Sequence, residues 1–191
     1  PGVEAYTHEF VATGQEDSKF GFIVAEGLAD SAVRRASKSP TVELVGLHAH
    51  IGSQVFDVEP FTRAVDVLAA FAAPYDLPEL SVGGGLGVPY VEGESAPSIS
   101  EWADAIQAAC RRAGVTSEVT AEPGRAITAA AAITLYRVGT IKDLPNIRTY
   151  VAVDGGMSDN PRPVLYGSGY ETFLPRSTAS DRPCVVRVVG K

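Results

Sequence analysis

Val42-Glu-Leu-Val-Gly-Leu47 running into His48-Ala-His-Ile-Gly-Ser-Gln54 is the first of three stretches with one design, a short apolar run stopped by a polar, glycine-bearing turn. The second is Leu77-Pro-Glu-Leu-Ser-Val82 with Gly83-Gly-Gly-Leu-Gly87, and the third is Ser117-Glu-Val-Thr-Ala121 with Glu122-Pro-Gly-Arg125. They recur at roughly the spacing of one βα unit. Helical patterns lie around them. One covers 25–37 and stops near Pro40. Another covers 58–73, where Phe61, Val65, Leu68 and Phe71 share a core-facing stripe. In a third, Ser100 reads as the N-cap of a helix through Ala113 that Gly114 ends, with Trp102 and Ile106 buried four apart. Strand–helix alternation predicts an α/β chain, a partial (β/α)8 TIM-type barrel. Strand C-termini converge on one face of such a barrel, so the three turns are expected to line one pocket.

The rest of the chain differs in texture. Val3–Val11 alternates weakly as a strand does, and 14–21 and 87–98 are polar loops. After a helix-prone stretch at 126–132, Ile133–Ile141 and Arg148–Val153 read as strands, and 164–191 carries β runs without intervening helices. The expected organisation is therefore residues 1–140 as the C-terminal part of the barrel and 141–191 as the start of a β-domain. The chain opens on Pro1-Gly2, holds its single methionine at Met157 and closes in a β-like run. A complete barrel takes about 250 residues, so the expectation is an internal piece of a longer protein.

With 191 residues, 45% hydrophobic, the chain has enough apolar material for a real core. Its net charge of −7 and the lack of a basic stripe argue against a nucleic-acid surface. No apolar run approaches the ~20 residues of a membrane span, and no signal-peptide pattern opens the chain. Cys110 and Cys184 make neither a CxxC pair nor a zinc spacing, so no metal is expected and a reduced, cytoplasmic setting is.

The turns carry chemistry. Gly83, Gly84 and Gly85 have no Cβ to keep an anion from their amides, although a triple glycine alone equally suits a tight turn. Gly124 and Arg125 open the next helical stretch and offer a second set of N–H groups, so the two loops together read as a phosphate cup. Glu122 follows a buried-looking strand and reads either as a solvated strand-end carboxylate or as the partner of a ring nitrogen. His50 is favoured over His48 because it lies nearer the strand end; its alternatives are stacking on a ring, proton transfer, or an ordinary polar role. Ser53 offers a hydroxyl to phosphate or to its own turn. Arg162, between Pro161 and Pro163, is expected in extended geometry, a stiff mount suited to gripping a carboxylate, with Tyr166 adding a hydroxyl. Asp154-Gly-Gly156 reads as a turn rather than a site.

These motifs, with Ser18-Lys-Phe-Gly-Phe22 and Asp154-Gly-Gly-Met-Ser-Asp-Asn-Pro-Arg-Pro-Val-Leu-Tyr-Gly167, resemble in type and order the diaminopimelate decarboxylases of the alanine-racemase-like, fold-type III pyridoxal-phosphate enzymes. The last motif and Gln54 favour this branch over the ornithine-specific one. The resemblance implies pyridoxal 5′-phosphate as cofactor, with His50 stacked on its ring, Glu122 at the pyridine nitrogen, and Ser53, Gly83–Gly85, Gly124 and Arg125 at the phosphate. It implies that Arg125, Arg162 and Tyr166 grip the substrate carboxylate, and that meso-2,6-diaminopimelate loses CO2 from its D-centre to give L-lysine. A homodimer with shared active sites is implied too. In that family a lysine on an early barrel strand tethers the cofactor as a Schiff base. The lysines here, Lys19, Lys38, Lys142 and Lys191, match no such motif. That lysine and the family's catalytic cysteine are expected outside this chain, and the piece alone is expected to be inactive. An arginine- or ornithine-type decarboxylase, or a non-catalytic cofactor-binding homologue, are the alternatives.

Overall fold

The computed structural model describes residues 1–5 and 13–190, so most of the Val3–Val11 strand expectation lies outside the described residues. The chain forms two compact units. One comprises residues 1–89 with 95–131, the other residues 90–94 with the chain from Ala132 onward.

The first unit alternates α1 (Leu28–Ser37), β1 (Gly46–His48), α2 (Glu59–Ala72), β2 (Glu79–Ser81), α3 (Ile99–Arg112), β3 (Glu118–Thr120) and the short α4 (Gly124–Thr128). The three strands form one parallel sheet in chain order, each crossover carrying a helix, as a stretch of (β/α) barrel requires. Phe61, Ala64, Val65, Leu68 and Ala69 bury one face of α2, and Trp102, Ile106, Ala109 and Cys110 one face of α3. The two helices meet through an edge-to-face contact between Phe61 and Trp102, 5.6 Å between centroids.

The cap of α3 is not Ser100. Ser98 Oγ accepts from Glu101 N–H at 3.1 Å while Glu101 Oε2 accepts from Ser98 N–H at 2.7 Å. This reciprocal box needs a glutamate three residues after the serine, which Ser98 has and Ser100 lacks. The helix ends as expected, with Gly114 at φ +68°. The expectation of a buried third strand also fails. All of β3 is exposed, because among the described residues it has β2 on one side and no strand on the other.

The core reaches into the turns after β1 and β2. Ile51, Val55 and Leu86 are at most 2% exposed, and Val55 and Leu86 pair as an isolated parallel bridge. Burying each such side chain contributes about 1.5–3 kcal/mol, so these turns are pinned from below. A cavity of about 970 Å³ lies beside β1, between α1 and α2, and Ser18, Phe20 and Phe22 of the Ser18–Phe22 motif line it. It touches His48 and His50 but none of Gly83–Gly85 or Glu122.

In the second unit β4 (Val138–Leu144) and β5 (Arg148–Val153) form an antiparallel pair, with Asn146 at φ +63° in the turn, and β6 (Val186–Val189) adds parallel to β5. The first of these strands begins at Val138 rather than Ile133. The stretch after 160 is not purely β either, since Arg162–Tyr166 forms a helix, α5. Arg162 is therefore helical, not extended. Proline is tolerated in a first helical turn, where its missing N–H is not needed, and Asn160 Oδ1 accepts the Arg162 N–H at 3.3 Å.

Candidate functional site

Strand register assembles the site. His48, Ser81 and Thr120 are direct partners across β1, β2 and β3. Side chains two residues apart share a face, so His50, Gly83 and Glu122 form the next rung beyond the strand ends. Glu122 N–H donates to Gly83 carbonyl oxygen at 2.7 Å and locks the second and third turns together.

The glycines are needed for this closeness. A Cβ on Gly83 would lie 2.5 Å from Ala49 oxygen, one on Gly84 2.0 Å from Glu122 oxygen, and one on Gly85 2.1 Å from Gly52 oxygen. All three contacts are to backbone, which has no rotamer to yield. Gly83 and Gly85 also sit at φ +66° and +110°. The turn is thus a tight junction that only glycine permits. Its amides are not equivalent: Gly83 N–H donates to Ser81 Oγ at 3.3 Å and Gly84 N–H to His50 Nδ1 at 3.2 Å.

That last bond defines the chemistry of His50. An amide only donates, so Nδ1 is the acceptor and the neutral ring carries its proton on Nε2. Burial lowers the His50 pKa, the neighbouring His48 lowers it further, and Glu122 opposes both. The imidazole is therefore neutral around pH 7, and the main-chain carbonyl of His50 accepts from Thr13 Oγ1 at 2.8 Å.

Glu122 is exposed at the rim. Its Oε1 accepts from Ser81 Oγ at 3.2 Å and its Oε2 lies 3.5 Å from His48 Nε2. Arg125, on the first turn of α4, donates from Nη2 to Ser53 Oγ at 3.3 Å, which joins the first and third turns. Gly124 has open space where a Cβ would be, and its N–H turns back to Glu122 oxygen at 2.8 Å. His50, Ser53, Gly83–Gly85, Glu122, Gly124 and Arg125 thus come together in the first unit. Arg162 and Tyr166 belong to the second unit, where the guanidinium carbon stands 5.0 Å from the Tyr166 ring centroid and Arg162 Nε has no hydrogen-bond partner among the described residues.

Ser81 joins the cluster without having been singled out, and His48 joins it although His50 was favoured over it. The available signal was period two: each lies two residues before a chosen position on its strand. Gln54 acts structurally. At φ +57° it donates from Nε2 to Val88 oxygen and accepts Val88 N–H on Oε1, both at 3.0 Å, and so mimics a strand partner.

A neutral imidazole, a tethered carboxylate and a guanidinium–hydroxyl pair on adjoining strand ends suit an aromatic nitrogen ring carrying a phosphate. A profile of the family described as pyridoxal-dependent decarboxylase, pyridoxal binding domain, matches residues 1–129, and the chain belongs to that family. Its cofactor is pyridoxal phosphate. The named relatives are more particular. The chain is 43% identical over 201 residues to diaminopimelate decarboxylase of Synechocystis sp., covering 100% of this chain and 42% of that one. It is 44% identical over 181 residues to that of Staphylococcus aureus, covering 91% and 43%. Among solved structures it is similar to diaminopimelate decarboxylase from Helicobacter pylori complexed with L-lysine, at a TM-score of 0.78 and 35% identity over 90% of this chain and 43% of that one. The lysine/ornithine decarboxylase of Vibrio vulnificus, 20% identical at a TM-score of 0.71 over 85% of this chain and 44% of that one, shares the fold. The chain spans less than half the length of these relatives. Among the described residues no helix is long and apolar enough to cross a membrane.

Proposed function

We propose that this chain is part of a pyridoxal-phosphate-dependent decarboxylase that converts meso-2,6-diaminopimelate to L-lysine and CO2. The observation that carries the reading is the strand-end rung of His50, Gly83 and Glu122, in a chain 43% identical throughout to a diaminopimelate decarboxylase. When bound, the cofactor's protonated pyridine ring supplies the electron sink for the pair left as CO2 departs.

The chain's own residues do the rest. Glu122 holds a proton at the ring nitrogen. His50, neutral and fixed by Gly84, presents a flat imidazole that neither repels a protonated ring nor draws charge from it. Gly85, Ser53 and Arg125 hold the phosphate, and Gly124, whose own N–H is turned to Glu122 oxygen, leaves it open space. Gly83 and Gly84 contribute by bringing the backbones close, since their amides are engaged with Ser81 and His50. Arg125, Arg162 and Tyr166 grip the carboxylate that stays on the substrate, which selects a diacid over a plain diamine. The lysine that tethers the cofactor and the catalytic cysteine lie elsewhere in the full-length protein, which works as a cytoplasmic homodimer with shared sites. The portion before β4 is the barrel part of that protein and the portion from β4 onward its β-domain part, which moves the expected 140/141 boundary back to the start of β4.

The test is product analysis. The full-length protein with pyridoxal phosphate, offered meso-diaminopimelate, ornithine and lysine in parallel, is expected to release CO2 from the first alone and to form L-lysine. Release of putrescine or cadaverine instead, or no product from meso-diaminopimelate, overturns the assignment.

A further inference from the structure

The Ser81 hydroxyl stands between two strand-end groups. It accepts the Gly83 N–H at 3.3 Å and lies 3.2 Å from Glu122 Oε1. An amide cannot accept, so a Ser81 lone pair serves Gly83 and its one proton goes to Glu122. The other carboxylate oxygen is 3.5 Å from His48 Nε2, and His48 is the register partner of Ser81. Groups from two strands, fixed by ladder rather than loop, thus flank the carboxylate.

Glu122 needs such support. It follows an exposed strand, its side chain is 60% exposed, and a glutamate has rotamer freedom to lose on being aimed. Resting on the reading of Glu122 as the partner of the ring nitrogen, we propose that Ser81, assisted by His48, is a positioning residue that aims the Glu122 carboxylate at the cofactor ring. Ser81 itself touches neither substrate nor cofactor. Its effect passes through one hydrogen bond.

The test uses the full-length protein loaded with pyridoxal 5′-phosphate labelled with 15N in the ring, in the parent and in Ser81→Ala, Ser81→Thr and Glu122→Gln. The readouts are the ring-nitrogen chemical shift and kcat against KM. Ser81→Ala is expected to move the shift in the direction set by Glu122→Gln but less far, and to lower kcat about tenfold with KM within about twofold, the scale of one lost hydrogen bond to a charged group. Ser81→Thr keeps the hydroxyl on a residue suited to a strand and is expected to restore both. If Ser81→Ala matches the parent while Glu122→Gln moves the signal, the positioning role is refuted and the reading of Glu122 survives. If Glu122→Gln leaves the signal in place, that reading fails and the inference fails with it. Should Ser81→Ala not fold, Ser81→Thr decides, since a folded Thr variant with a displaced signal also refutes the role.

Discussion

Gly84→Ala separates a glycine required by backbone approach from one that is merely present. The new Cβ would lie 2.0 Å from the Glu122 carbonyl oxygen and 2.8 Å from its carbonyl carbon, where real Cβ atoms keep at least 3.0 Å. The second and third strand-end turns must therefore part by about 1 Å, because neither atom belongs to a movable side chain. That displacement falls on the 2.7 Å bond from Glu122 N–H to Gly83 oxygen and on the 3.2 Å bond from Gly84 N–H to His50. Overpacking costs about 1–3 kcal/mol and a lost hydrogen bond about 1 more, so a loss of ~2–4 kcal/mol is expected. A 1 Å misplacement of site groups also costs on the order of 10²-fold in rate. Gly124→Ala is the control. Its Cβ meets nothing within 4 Å, and alanine in α4 is favoured by about 0.5–1 kcal/mol, so stability should hold or rise slightly. Urea unfolding and turnover of the full-length variants measure both effects. Parental stability and turnover in Gly84→Ala, or an equal loss of stability in Gly124→Ala, would refute the close-approach reasoning.

The His50 pKa is lowered, chiefly by burial, so its imidazole should titrate by NMR below the ordinary 6.5, the resonance being assigned by its loss in His50→Gln. The folded state then binds fewer protons than the unfolded one, so this contribution to stability is full above pH 6.5 and is lost as the pH falls towards the lowered value. A midpoint at or above 6.5 contradicts the half-buried, neutral ring. Gln54→Ala loses both hydrogen bonds to Val88 and should cost about 1–2 kcal/mol in urea unfolding, while Gln54→Gly should cost less because it relieves the φ of +57°; the opposite order would contradict strain at that angle, and parental stability in Gln54→Ala would mean that the pairing with Val88 contributes little. Arg162→Ala should raise KM for meso-diaminopimelate about tenfold or more with a smaller change in kcat, as loss of one charged grip on a carboxylate implies, and an unchanged KM would remove Arg162 from substrate binding.

The parts of the site legible from sequence were those in which residue type alone limits the backbone. Three consecutive glycines at a strand end announce a close approach, and the Gly83–Gly85 contacts with Ala49, Glu122 and Gly52 supply its reason. The helical stripes of α2 and α3 followed from spacing, because burying one face is what makes such helices stable. Features decided by a partner far along the chain were not legible. Ser81 has no motif of its own, and its role follows from register with His48 and from Glu122 lying 41 residues on. Gln54 stands out by type, yet its pairing with Val88 depends on an unusual backbone angle. The two misread local features have local causes. Pro161-Arg-Pro163 carries prolines that suit a first helical turn as well as an extended strut, and the Ser98–Glu101 box outcompetes the nearer Ser100. The exposure of β3 reflects sheet position, which apolar residues in a strand do not reveal.

A crystal structure of the full-length protein with pyridoxal phosphate bound tests the central claim, that these three strand-end turns form the cofactor cradle. The ring nitrogen is expected within hydrogen-bond distance of Glu122, the imidazole of His50 against the ring face, and the phosphate among Ser53, Gly85 and the Gly124–Arg125 turn. A ring nitrogen facing any other residue, with Glu122 turned to solvent, would contradict it.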